Sequence, residues 1–173
     1  AAMAAAAAAA GAALLKLMID AGEFADELIT TSNQTGISTQ QLQEWDYAMR
    51  FIDVDMNTMT KSMAKLIKNM DNAYKGTKDQ TEAFNELGVA FVDGNGEMRD
   101  SQTVFMEIID ALGQMENETQ RDALAMRLFG KSAQELNPLI KAGSDELARL
   151  SEEAHNVGAV VGDDAIEALG AFD

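Results

Sequence analysis

The chain contains no cysteine. That excludes a disulfide framework, a thiolate nucleophile and any cysteine-ligated metal. Histidine occurs once, at His155. A lone histidine is a poor metal-ligand set, and near a helix end it suits the dipole as a cation. Basic residues are scarce, with 13 Lys and Arg against 29 Asp and Glu and a formal net charge of −16. So acidic a chain repels a phosphate backbone, which argues against specific nucleic-acid binding. Trp45 and Tyr47 adjoin Glu44 and Asp46, so base stacking there lacks the cations that usually accompany it. The charge reads as solubilising. Long apolar runs are missing as well. Residues 1–15 are uncharged, but a membrane span needs roughly 20 apolar residues. No basic residues precede the run, as a signal peptide would require.

Proline is limited to Pro138, and β-branched runs are short. The chain therefore reads as all-α. We expect a multi-helix, segmented or bundle-like arrangement with one short β-hairpin near residues 89–99. Four segments follow from the punctuation: an Ala-rich amphipathic helix (1–31), a helical segment with a Met-rich seam (32–76), a compact helical region with the hairpin (77–158) and the truncated start of a further helix (159–173). The chain opens on Ala1, and Asp173 falls shortly after a helix begins at Asp163-Asp164. Both ends read as cuts through a longer polypeptide.

In the first segment Leu14, Leu17, Met18, Ala21, Phe24, Ala25 and Leu28 recur at three- and four-residue steps, the mark of an amphipathic helix. Leu14, Leu15, Leu17, Met18 and Phe24 are the candidate membrane contacts. In the second, Met56, Met59, Met63, Leu66, Ile67 and Met70 form a short heptad-like seam. Ordinary core and self-association are both open readings of it, since methionine adapts to irregular contacts.

Caps and stops divide the rest. Ser38 or Thr39 should cap one helix, Asp53 or Asp55 precede the next, and Ser101 and Asn117 cap two more. Ser132 with Glu135 has the spacing of a capping box. Gly76, Gly88, Gly130, Gly143 and Gly158 are the expected stops, and Pro138 should shorten or kink its helix. Asp93-Gly94-Asn95-Gly96 favours a hairpin turn. As a calcium loop it fails, because Met98 stands where glycine is needed and Val104 where a bidentate glutamate is needed. Arg121, in the first turn of its helix, should pair with Asp100 or Glu118. No nucleophile with a partner base is visible, and nothing singles out a glycosidase-like carboxylate pair. No catalytic, cofactor-binding or metal residue is assigned.

One long stretch carries more. It includes Leu87-Gly88-Val89, the Asp93–Gly96 turn, Arg99-Asp100, and Phe105 with Ile108-Ile109-Asp110-Ala111-Leu112-Gly113. The Asn117–Met126 helix start follows, then Leu128-Phe129-Gly130-Lys131-Ser132-Ala133 leading to Leu136-Asn137-Pro138-Leu139-Ile140. In order and spacing this run resembles the tail tape measure proteins of long-tailed bacteriophages. A weaker similarity extends upstream through Glu23-Phe24-Ala25-Asp26 and Thr35-Gly36-Ile37-Ser38. The resemblance implies a fragment from the N-terminal or middle part of such a protein: a structural virion component, not an enzyme, that needs no cofactor. Such proteins set tail length, template assembly of the tail tube and are ejected during DNA delivery. The implied partners are the tail tube protein, tail tip or baseplate proteins, other copies of itself as a homo-oligomer, and the host membrane. The implied location is the lumen of the phage tail, with a transient stage in the host cytoplasm during assembly. The alternative reading is a membrane-active helical module acting at the host envelope, and a muramidase using acidic residues is a third. A full coding sequence several times longer and beside tail tube genes is the expectation from the first.

Overall fold

Helix stops and caps at short intervals leave little room for anything but short helices joined by tight turns. The computed structural model describes residues 20–171. A helix over residues 20–35 (α1) is followed by Thr39–Ile52 (α2), Met56–Tyr74 (α3), Lys78–Leu87 (α4), Ser101–Gly113 (α5) and Glu118–Phe129 (α6). A 3-10 turn, Lys131–Leu136, then leads into Asn137–Asn156 (α7) and Asp163–Gly170 (α8). The described chain is all-α.

The chain forms two compact units. One is Glu44–Ala159, and the other draws on Ala1–Gln43 and Val160–Asp173. The segments expected at 32–76 and 77–158 thus contribute most of their residues to a single unit.

In the unit made from the chain ends, α1 and α8 approach closely through glycine. A Cβ on Gly22 would lie 3.6 Å from the Leu169 carbonyl oxygen, and one on Gly170 would lie 3.2 Å from the Ile29 methyl. Ala25, Leu28, Ile37, Leu42 and Ile166 are buried. The returning strand of chain is pinned by the buried amide of Gln43, which donates to the Val161 carbonyl at 3.0 Å and accepts from the Val161 N–H at 2.9 Å. Thr39 bonds Asp163 at the start of α8, and Ser38, not Thr39, accepts the α2 cap bond from the Gln41 N–H.

In the larger unit α3 is central, packed by α4, α5, α6 and the 3-10 turn. Met59, Met63, Leu66 and Met70 have no exposed surface. Each such burial contributes on the order of 1.5–3 kcal/mol relative to exposure. Trp45, Phe105 and Phe129 run through the core with ring centroids 6.0 and 5.1 Å apart, in tilted geometry.

Helix ends inside this unit are closed by side chains of other helices. Asn69 of α3, almost wholly buried, donates to the carbonyls of Arg127 and Leu128 at 2.9 and 2.8 Å, satisfying the end of α6. Asp110 of α5 accepts from the Ser144 N–H at 2.8 Å and from its hydroxyl. It thereby caps the second half of α7, which restarts after Gly143 at φ 82°. The expected break at Gly143 is present, and Pro138 sits in the first turn, where its missing N–H costs nothing. Gly113 brings α5 against α7: a Cβ there would lie 2.9 Å from the Ile140 carbonyl oxygen.

Three expectations need correction. The β-hairpin is not formed; among the described residues there is no sheet, only an isolated antiparallel bridge between Val92 and Met98. The turn itself is real, closed by the Asp93 N–H to the Glu97 carbonyl and by the Asp93 carboxylate accepting from the Asn95 and Glu97 N–H groups. The arms cannot lengthen because α4 ends just upstream and Asp100 already caps α5. Asp100, rather than Ser101, accepts the cap bond from Thr103. The Ser132/Glu135 box does not form either. Those residues lie in a 3-10 turn without a side-chain cap, and Glu135 instead accepts from Thr58 at 2.7 Å. Asn117 does cap α6, through the Gln120 N–H.

Two substitutions test this account. Asn69→Ala strips the Arg127 and Leu128 carbonyls of a buried donor and should cost about 1–3 kcal/mol in urea unfolding. A shift below about 0.5 kcal/mol would contradict the capping role. Gly113→Ala would gain about 1 kcal/mol on helix propensity alone, but the Ile140 carbonyl makes the expected sign destabilising, by about 1–3 kcal/mol. A stabilised G113A protein would show that α5 and α7 are free to separate.

Candidate functional site

Chemistry-bearing side chains are widely dispersed. His155 Nε2 lies 2.7 Å from Glu44 Oε1 at the surface. Tyr47 bonds Glu153, and burial, with that carboxylate second, raises the phenol pKa above its usual value. Among the described residues no three or more His, Asp or Glu side chains gather as a metal site would need. No described helix is long and apolar enough to cross a membrane.

The seam residues fall in two groups. Met59, Met63, Leu66 and Met70 line the interior of the larger unit, while Met56 and Ile67 are half-buried. Four of the six therefore face neighbouring helices of the same chain. Leu14, Leu15, Leu17 and Met18 lie outside the described residues. Phe24 is 41% exposed, on the face of α1 that also presents Asp20, Glu23 and Glu27.

The distribution of charge is the surface's most ordered feature, and composition alone did not reveal it. Every described arginine is ion-paired: Arg50 with Asp46, Arg99 with Glu107, Arg121 with Asp122, Arg127 with Asp79 and Glu86, and Arg149 with Glu146 and Glu153. Arg121 thus takes its sequence neighbour as the near partner, with Glu118 at 3.9 Å. Arg127 holds α6 to α4. Lysines behave differently. Lys75 and Lys78 pair with Asp71 and Glu82 within their own helices, but Lys61, Lys65 and Lys68 of α3 and nearby Lys131 are exposed and in no ion pair. Residues 56–70 contain no acid at all. A sequence signal for this existed in the Lys61, Lys65, Lys68 spacing, which places all three on one helix face.

Arg99 fixes the turn to α5. It donates to both Glu107 oxygens at 2.8 and 2.6 Å and to the Ala90 carbonyl at 2.8 Å. The Arg99 hydrogen bond holds the Glu107 carboxyl below its usual 4.5, against a smaller opposing effect of burial. A depressed carboxyl pKa stabilises the fold above the unfolded value and loses that contribution as pH falls through the folded one. Glu107→Gln should therefore narrow its stability gap to the native protein as pH drops below 4.5. Because the pair is partly exposed, solvent screening keeps the effect modest. Urea midpoints measured across that range check it, and a gap that widens on acidification contradicts it.

Residues 52–130, a little under half of the chain, match the family model described as Phage-related minor tail protein. No curated protein and no solved structure matches the chain. The matched stretch lies wholly in the larger unit and contains α3 to α6, the arginine-anchored turn and the buried Asn69 cap. It supports a phage tail protein with a structural role.

Proposed function

We propose that the chain is a structural part of a phage tail and, more narrowly, a segment of the tape measure protein that sets tail length. The match over residues 52–130 carries the tail assignment. The narrower reading rests on the resemblance of the Phe84–Ile140 run and on helix as the material of the fold, since an extended helical chain measures length at about 1.5 Å per residue. On this reading the described units are folded stations on a longer rod. They act by contact with tail tube and tip proteins and with other copies, in the tail lumen of the virion, and leave with the DNA. Function comes from assembly rather than from catalysis.

The test is made in the phage that encodes the chain. Virions should contain the protein by mass spectrometry. Lengthening its coding sequence by a helical insert outside residues 52–130 should lengthen the tails in electron micrographs by about 1.5 Å per inserted residue. Tails of unchanged length on virions that contain the protein would leave a tail component that is not the ruler. Absence from virions would remove the tail assignment itself.

A further inference from the structure

We propose that the lysine face of α3 is a docking surface for α1 of a second copy of this chain, laid antiparallel across it. The acceptor is Lys61, Lys65 and Lys68, at steps of four and three, with the small side chain of Ala64 between them. All four are exposed, and none of the lysines is ion-paired. An antiparallel partner helix that neutralises them needs acids at steps of three and four. Two exposed acidic triplets on the described helices have that spacing. One is Asp79, Glu82 and Glu86 of α4, already engaged by Arg127 and Lys78. The other is Asp20, Glu23 and Glu27 of α1, all unpaired.

Register settles the fit. Setting Asp20 opposite Lys68 puts Glu23 opposite Lys65 and Glu27 opposite Lys61. The same register puts the 41% exposed ring of Phe24 opposite Ala64. An apolar ring facing the one small residue of the lysine face is a second, independent complementarity. The other side of α1 is already used, since Ala25 and Leu28 are buried and Gly22 lies against Leu169. The acidic side is the one left to offer. Lysine against lysine would repel, so the contact is not formed between two α3 faces. It closes as a reciprocal dimer, each α1 on the other's α3, or continues head to tail. The inference does not rest on the tail assignment, because it uses only the charges and their spacing.

Sedimentation of the 173-residue chain tests it at about 0.15 M salt, where net repulsion is screened beyond roughly 8 Å but contacting pairs still act. The native chain should associate with rising concentration, to dimers or longer species. K61E/K65E/K68E and, separately, D20K/E23K/E27K should each weaken association at least about tenfold. Their circular dichroism should be unchanged, since all six positions are exposed. Mixing the two variants should restore association, because the reversed α1 then meets the reversed α3. A monomeric native chain, a lysine variant that associates as before, or a mixture that stays monomeric would each overturn the proposal. Binding of duplex DNA to the lysine face without self-association would overturn it too, and would assign that face to a polyanion.

Discussion

The larger unit depends on one buried amide. Asn69 stands in the C-terminal half of α3, among buried methionines and leucine, and both bonds from its amide nitrogen go to the last turn of α6. Terminal helix carbonyls have no partner of their own, and inside a core water cannot supply one. An apolar residue at 69 would pack, but it would leave the end of α6 unsatisfied where the chain must turn into the 3-10 segment. The amide therefore does two tasks. It terminates α6, and it sets where α6 stops along α3. The Arg127 side chain, two residues before that end, then reaches α4, so the placement of three helices follows from a single polar group.

Asp110 repeats the device at the other side of the unit. Its carboxylate caps the restart of α7 at Ser144, while Gly113, three residues on, lets the backbone of α5 meet the Ile140 carbonyl. The two features need each other. A helix broken at Gly143 exposes new N–H groups, and only a helix lying close enough can offer an acceptor. Close approach in turn needs a residue without a Cβ. Such mutual dependence makes core geometry specific in a way that apolar burial, which has no direction, does not.

That logic also explains how much was legible beforehand. Helix existence and most stops could be read, because they depend on local chemistry: Gly88 at φ 71° ends α4, Gly143 breaks α7, and Asn117 caps α6. The errors share one cause. Ser101 lost its cap to the adjacent Asp100, Glu135 was drawn away to Thr58, and the expected hairpin arms were cut short by two helix ends. In each case a neighbour competed for the same backbone group, and spacing alone cannot rank competitors. Asn69 and Asp110 were invisible for a stronger reason. Their partners lie 58 to 59 and 34 residues away, and a mid-helix Asn or Asp looks like an ordinary surface residue. The Met56–Met70 seam was read as either core or association surface; the structure puts four of its six residues inside.

The opposite face of that same helix is where chemistry remains unspent. Arginine, with a planar fork that pairs two acceptors at once, is the cation this chain uses for internal fastening. Lysine, flexible and strongly hydrated, is left outward on α3, where fifteen consecutive residues hold no acid to neutralise it. In a protein of net charge −16 a lysine face with no acid of its own attracts whatever carries acids. The strongest local supply is the chain itself. The lysine face lies within residues 52–130, whereas the acidic ridge of α1 lies outside that stretch. A piece limited to the matched region would therefore keep the acceptor and lose the donor. Pairing would then depend on the helix that precedes it, which places control of association in α1 rather than in the buried core.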